Sequence, residues 1–310
     1  MTKNNKKIIW VFGDYRNYYQ NRVTLQLIAR AVALAKVINA EVCALIFGYE
    51  IDEWIMEYTA HGADRILAID DPELQSYSTE KYLAIIEALA KERDPEIILI
   101  GATDFGREFA PRLAKRLKTG LSADCVGLDI TDDGLLLQIA PSFGGNMLAE
   151  IVTERHRPQM ATVRPGTFKE IPHDYERKAI VERLPLMKNL PKSRVRLIEY
   201  ERSVEKEHTI ENASVIVCGG RGMGNKEKFK KLQELAKLLG GDVGATRPVV
   251  YAGWADHGAL VGQAGKHIKP KLLFSFGISG AIQHTAGLGE ANFIIAINKN
   301  PQATMLKMAD

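Results

Sequence analysis

Cysteine is scarce and badly placed for chemistry. Cys43, Cys125 and Cys218 are the only three in 310 residues, odd in number, far apart and embedded in apolar segments. They show no Cys-x-x-Cys or other metal spacing, so they read as buried free thiols in a reducing cytoplasm rather than as a disulfide framework. Long apolar runs are also missing. The greasiest stretch, Leu25 to Ala40, contains Arg30 and Lys36, and nothing approaches the ~20 apolar residues that a membrane span needs. Ile8 to Phe12, after a basic start, is too short for a signal-peptide core and runs at once into Gly13-Asp14. A charge bias is absent too: the formal net charge of +3 makes no case for nucleic acid or an anionic membrane as a partner.

What remains is an ordinary globular composition, 46% hydrophobic and 25% charged, in a chain long enough for roughly two domains. From Lys7 the pattern alternates. Strands are expected at Ile8–Phe12, Glu41–Phe47, Arg65–Ile69 and Ile97–Ile100, with helices at Val23–Ile38, Trp54–Ala60, Thr79–Glu92 and Gly106–Leu117. Strand and helix alternating through short connections predict a parallel sheet with right-handed crossovers. At Gly101-Ala102-Thr103-Asp104 a strand ends in a small-residue turn that could hold a phosphate with Arg107. The plainer reading, with Thr103 or Asp104 capping the next helix, is preferred.

Beyond Gly120 come short strand candidates: Val126–Ile130, Leu135–Ala140, Met147–Val152 and Gln159–Val163. The hairpin signal Asp132-Asp133-Gly134 makes them an antiparallel extension of the first sheet. Arg155, Arg157 and Arg164 cluster there and could face a partner chain or a phosphate, although such a run is more often salt-bridged surface. Residues 164–212 turn charged and irregular, with Pro172, Pro185 and Pro191 and a mixed-charge run Glu199–Glu207, and the linker is placed at 186–212. Ser214–Cys218, a Gly-rich turn at Gly219–Gly224 and a helix at Lys226–Leu239 then open a second domain. The glycines do not spell G-x-G-x-x-G, and no Asp or Glu stands in that fingerprint's register, which disfavours nicotinamide binding.

In this second domain polar-tipped loops accumulate. Gly244-Ala245-Thr246-Arg247-Pro248 sets an arginine after a hydroxyl, and Val261-Gly262-Gln263-Ala264-Gly265-Lys266 surrounds an amide with small residues. The strand Lys271–Phe276 runs into Gly277-Ile278-Ser279-Gly280-Ala281-Ile282-Gln283-His284, where a helix can start. Such a turn lets backbone amides approach an anion, with Ser279 as a candidate cap and a helix N-terminus behind it. The buried strand Phe293–Ile297 delivers Asn298-Lys299-Asn300-Pro301 at its carboxyl end, where ligands of open α/β sheets collect.

This series resembles the alpha subunit of electron-transfer flavoproteins: Gly-Gly-Arg-Gly-Met-Gly, Gly-Ala-Thr-Arg-Pro, Val-Gly-Gln-Ala-Gly-Lys, Gly-Ile-Ser-Gly-Ala-Ile-Gln-His and Ala-Ile-Asn-Lys-Asn-Pro. The likeness is dense over Ala213–Asp310 and continues at Thr119–Cys125 and Arg157–Gly166. It implies an α/β fold of two domains. Residues 1–185 would form a parallel-sheet, nucleotide-binding-like domain with an antiparallel extension, serving as scaffold and subunit interface. Residues 213–310 would form a Rossmann-like FAD-binding domain.

The resemblance further implies roles. Arg247 would face the flavin ring with a permanent positive charge. His284 would donate to the pyrimidine end of the ring. Thr246, Gln263, Gln283 and Asn298 would serve the ring edge and ribityl chain. Ser279, Gly280 and Ala281 would offer amides to phosphate, Arg221 would neutralise phosphate charge, and Val261, Gly262, Ala264 and Ile282 would complete the site.

Two departures stand out. Ala264 replaces the usual Thr or Ser, removing a hydroxyl that could reach flavin N5. The family also continues past the segment matching Met308-Ala309-Asp310 with Tyr-Gly-Ile-Val-Gly-Asp and a closing strand and helix, so adenine-side contacts from that tail are expected to be absent.

The function implied is electron transfer by a carrier subunit rather than a stand-alone enzyme. It would be paired with a beta subunit, linked to an acyl-CoA dehydrogenase-type flavoenzyme, or placed in a flavin-based bifurcating system. The alternatives are a flavin-free structural subunit and an NAD-dependent oxidoreductase. Against the last stands the lack of an evident acid-base group in the Gly-rich loops.

Overall fold

A computed structural model of the chain describes residues 6–15, 22–142, 147–195, 198, 210–289 and 291–310. It divides into two compact units, Met1–Tyr200 and Glu201–Asp310.

In the first unit, β1 (Lys7–Phe12), β2 (Ala40–Gly48), β3 (Arg65–Asp70) and β4 (Ile97–Gly101) alternate with α1 (Val23–Ile38), α2 (Asp52–Ala60), α3 (Thr79–Arg93) and α4 (Asp104–Leu117). Further on come β5 (Leu121–Cys125), β9 (Gln159–Val163) and β10 (Ile180–Arg183), which complete a seven-stranded sheet in the order β10-β3-β2-β1-β4-β9-β5. Every pairing in it is parallel. Helices cover both faces, which is why the central strands β1, β2 and β4 read as near-continuous apolar runs instead of alternating. Ile9 and Val11 join one core with α1 and α2. Trp10 and Phe12 point the other way into a second core with α3 and α4.

The antiparallel piece is a sheet of its own: β6 (Gly127–Ile130), β7 (Leu136–Ser142) and β8 (Met147–Ile151). Gln159–Val163, expected among those strands, sits instead in the parallel sheet between β4 and β5. It carries no hairpin turn of its own, and all five of its residues are buried. β10 went unpredicted because it is an edge strand of mixed composition. Its Glu182 meets Arg65 and lies 3.1 Å from Arg93, while Ile180 and Val181 stay exposed. Leu184, Leu186 and Leu190 pack on the second core, so the start of the expected linker lies against the first unit. The mixed-charge run Glu199–Glu207 falls outside the described residues.

The second unit is built on β12 (Asp242–Ala245), β11 (Val215–Gly219), β13 (Leu272–Phe276) and β14 (Phe293–Ile297), parallel and in that spatial order. The helix α5 (Lys226–Leu238) buries Phe229, Leu232 and Ala236 on one face. Its Asn225 caps it by accepting from the Lys228 amide at 2.9 Å. The other face packs Ile216, Cys218, Leu273 and Ile278 against Met305 of α8 (Thr304–Lys307). No helix among the described residues is long and apolar enough to cross a membrane. All three cysteines are free and buried, with the Cys43 and Cys218 thiols pushed up to about 12 and Cys125 to about 11, in each case first by burial.

Candidate functional site

From β11 the chain crosses to β12 on one side and then returns to β13 on the other. Where crossovers part in this way, a parallel sheet leaves a crevice at the carboxyl ends of its strands. A cleft of about 540 Å³ opens there, within the ~300–1,000 Å³ usual for small-molecule sites. Its walls are Gly220–Gly222 after β11, Thr246–Pro248 after β12, Leu260–Gly265, Gly277–Ser279 after β13, and Ala281, Gln283 and His284.

Backbone contacts hold these loops edge to edge. Gly220 N–H donates to the Phe276 carbonyl at 2.8 Å and Gly222 N–H to the Gly277 carbonyl at 3.0 Å. Gly277 has φ +60°, a conformation that L side chains avoid. Gly262 is tighter still: at φ +146° a Cβ would sit 2.4 Å from the Gln283 carbonyl oxygen. That same carbonyl accepts from the Gln263 amide at 2.7 Å. The closeness of the two loops brings Gln263 and Gln283 to one mouth.

Among the described residues the cleft is lined by Arg221 and Arg247 and by no Asp or Glu, and neither arginine forms an ion pair among them. Arg247 opens α6 (Arg247–Tyr251). Its Nε donates to the Tyr251 hydroxyl at 3.0 Å, and its guanidinium carbon stands 5.2 Å from that ring's centroid. His284, on the one-turn helix α7 (Ile282–Thr285), is 6% exposed. Its Nδ1 is 2.9 Å from the Val261 carbonyl oxygen, and its Nε2 is buried with no partner among the described residues. Burial lowers its pKa from the usual 6.5, opposed by the Val261 hydrogen bond.

Residues 9–189 match the family described as Electron transfer flavoprotein domain, and residues 209–289 match Electron transfer flavoprotein FAD-binding domain. The chain is 44% identical over 307 residues to the electron transfer flavoprotein subunit alpha of Thermoanaerobacterium thermosaccharolyticum, covering 99% of this chain and 93% of the relative. It belongs to the alpha-subunit family of electron-transfer flavoproteins. The subunit alpha of Clostridium acetobutylicum is 41% identical, with 100% and 93% covered. A lactate dehydrogenase (NAD(+),ferredoxin) subunit, LctC, of Acetobacterium woodii is 38% identical, with 97% and 72% covered. Electron transfer is therefore the function of this family member.

The cleft fits the group that the alpha-subunit family is described as binding. Two guanidiniums that form no ion pair among the described residues suit a diphosphate, glycine backbone allows close approach, and a buried imidazole nitrogen awaits a polar partner. Of the residues expected here, Arg221, Thr246, Arg247, Val261, Gly262, Gln263, Ala264, Ser279, Ala281, Gln283 and His284 line the cleft. Asn298, Gly280 and Ile282 do not. Asn298 Nδ2 donates to the Ile278 carbonyl at 2.7 Å, and its Oδ1 accepts from the Asn300 amide at 2.9 Å, so it braces the wall from behind. Gly280 backs onto Thr304 and Met305, and Ile282 is exposed outside. Ser279 caps nothing: the N-cap of α7 is Ala281, with no side-chain hydrogen bond. Leu260 and Ile278, buried apolar lining residues, escaped sequence reasoning because a lone aliphatic beside a glycine motif looks like core.

Of the groups weighed in the first unit, Thr103, Arg157 and Arg164 are satisfied within the chain. Thr103 caps α4, accepting from the Gly106 amide at 3.0 Å. Arg157 pairs with Glu96 at 2.5 Å and Arg164 with Asp124 at 2.6 Å.

Proposed function

We propose that this family member holds one FAD across the cleft of its second unit. It would work in the cytoplasm as the FAD-bearing alpha subunit of a heterodimer with a beta subunit, exchanging electrons with an acyl-CoA dehydrogenase-type flavoenzyme and other redox carriers. Bound FAD supplies one- and two-electron transfer. The observation that carries this reading is the convergence of Arg221, Arg247, Gln263 and His284 on one cleft whose described lining has no carboxylate.

In this reading Arg221 neutralises the diphosphate, aided by the Ser279 and Ala281 amides. Thr246, Gln263 and Gln283 hold the polar ring edge and ribityl hydroxyls, with Asn298 supporting them through Ile278. Arg247 keeps a permanent positive charge beside the ring, which favours electron entry in a partly dry site. Residues 1–185 serve as scaffold and subunit interface, 186–212 as linker and 213–310 as the FAD domain.

The test is the visible spectrum of the chain co-expressed with its genomic neighbour, followed by dithionite titration. About one FAD per chain is expected by stoichiometry of a single cleft. A folded heterodimer that stays colourless with added FAD would make the chain a structural subunit. The LctC relative, named for NAD(+) and ferredoxin, favours a second reading, a bifurcating system whose beta partner carries another FAD. A second bound flavin per heterodimer would select it.

A further inference from the structure

We propose that His284 is a redox-linked proton acceptor: neutral at rest with its hydrogen on Nδ1, it takes one solvent proton at Nε2 as one electron enters the cleft. This rests on the flavin reading above. The geometry begins at Val261, whose own amide donates to the Ala245 carbonyl at 2.9 Å, tying it to the end of β12. The Val261 carbonyl lies 2.9 Å from His284 Nδ1. A carbonyl oxygen can only accept, so Nδ1 must carry the hydrogen. In the neutral ring that leaves a lone pair on Nε2, the atom buried without a partner.

A lone pair is an acceptor, and it repels negative charge. The expectation that His284 donates to the pyrimidine end of a flavin is therefore met only by the imidazolium, which carries hydrogen on both nitrogens. Two features keep the resting ring neutral. Burial disfavours its charge, and Arg221 and Arg247 already place two cations on the cleft wall. The other titratable groups on the packed elements are Lys266, held 3.1 Å from Glu211, and His267 on the same loop. β13 and the rest of α7 carry none.

An electron entering this cleft, whose described lining has no carboxylate, reverses the balance, because a nearby negative charge favours imidazolium. The step conserves charge: one electron from the donor, or from dithionite in vitro, and one proton from water to Nε2. The net charge of the site is then unchanged. His284 and Arg247 act differently, the arginine as a fixed charge and the histidine as one that appears on demand.

Two measurements test this. In the flavin-free 310-residue chain, nitrogen-15 histidine spectra are expected to show His284 as the Nδ1–H tautomer at neutral pH, and a hydrogen on Nε2 instead would overturn the proposal. In the FAD-loaded protein, the first electron is titrated between about pH 6.5 and 8 in weak buffer with a pH-indicator dye. The wild type is expected to take up one proton, its one-electron reduction constant falling tenfold per pH unit, about 59 mV. His284→Gln is expected to take up none and to show a flat profile. Equal proton uptake in both proteins would overturn the proposal. If His284→Gln fails to fold, the wild-type spectrum decides, since Nε2 must gain a hydrogen on reduction. A protein without a flavin band sinks the flavin reading together with this step, whereas a flat wild-type profile with the band present sinks this step alone.

Discussion

At the carboxyl ends of β1 and β4 the described polar groups of the first unit bond to one another, while at the ends of β11 and β13 the second unit opens a cleft. Crossovers part at both places, with β2 and β4 flanking β1 and with β12 and β13 flanking β11. In the first unit buried Asp14 donates its amide to Thr24 at 3.1 Å, and its carboxylate accepts from Thr103 at 2.9 Å. Phe105, the second residue of α4, stacks 5.2 Å from Phe12 and 5.0 Å from Phe109. In the second unit the corresponding ends are glycine backbone, two arginines that form no ion pair among the described residues, and an imidazole nitrogen without a partner. The same topology thus gives an internally bonded end or a cleft. The difference lies in whether polar groups find partners within the chain.

The contrast can be broken by filling the open end. Gly262→Val adds a strained φ and a clash with the Gln283 backbone, effects of about 1–3 kcal/mol each. FAD affinity is expected to fall on the order of 100-fold, seen as loss of the visible band on dialysis, while circular dichroism stays near wild type. The internally bonded end can be loosened in turn. Thr103→Val removes the α4 cap and one partner of buried Asp14, and about 2 kcal/mol of stability is expected to be lost in urea melts with FAD affinity unchanged.

Paired charge changes sharpen the comparison. Arg247→Gln is expected to weaken FAD about tenfold, ~1.4 kcal/mol, and to lower the one-electron potential. Arg107→Gln, whose guanidinium lies 3.8 Å from Asp124, is expected to alter neither. Fluorescence titration and spectroelectrochemistry of both variants read this out.

The smallest effect is on pH. The folded-state pKa of His284 lies below its ordinary 6.5, so the unfolded chain binds more protons in the window just below 6.5. Stability is then complete above that pH and lost as pH falls through the window, by at most about 1.4 kcal/mol per unit. Flavin-free wild type is expected to lose this increment between neutral pH and pH 5.5 relative to His284→Gln, and equal losses would refute the assignment.

Elements with a strong apolar pattern were legible from sequence. Val23–Ile38 and Phe293–Ile297 form with the expected bounds, because a periodic or continuous apolar pattern marks a regular element; Phe293–Ile297, expected to be buried, is instead an edge strand with Phe293 and Ile297 exposed. Ile180–Arg183 was not legible: an exposed edge strand has little apolar signal, and its partner β3 lies over a hundred positions upstream. The cleft was legible as a set of motifs, since glycines must stand where loops touch. That Asn298 and Gly280 stand outside the cleft lining was not legible, because neither motif says which side of a loop faces the cleft.

Sequence alone determined the alternation of strand and helix, the burial of the thiols and the chemical inventory of the second domain. Tertiary structure decided which of those groups were already spent. Thr103 and Asp14 are 89 positions apart and Arg157 and Glu96 are 61 apart, yet each satisfies the other. Among the described residues Arg221 and Arg247 form no ion pair, Arg247 donating only to the neutral Tyr251 hydroxyl, and His284 Nε2 meets no partner. Hydrogen-bond satisfaction belongs to pairs brought together by the fold, so no single stretch of sequence could distinguish a residue that completes the scaffold from one left over to bind.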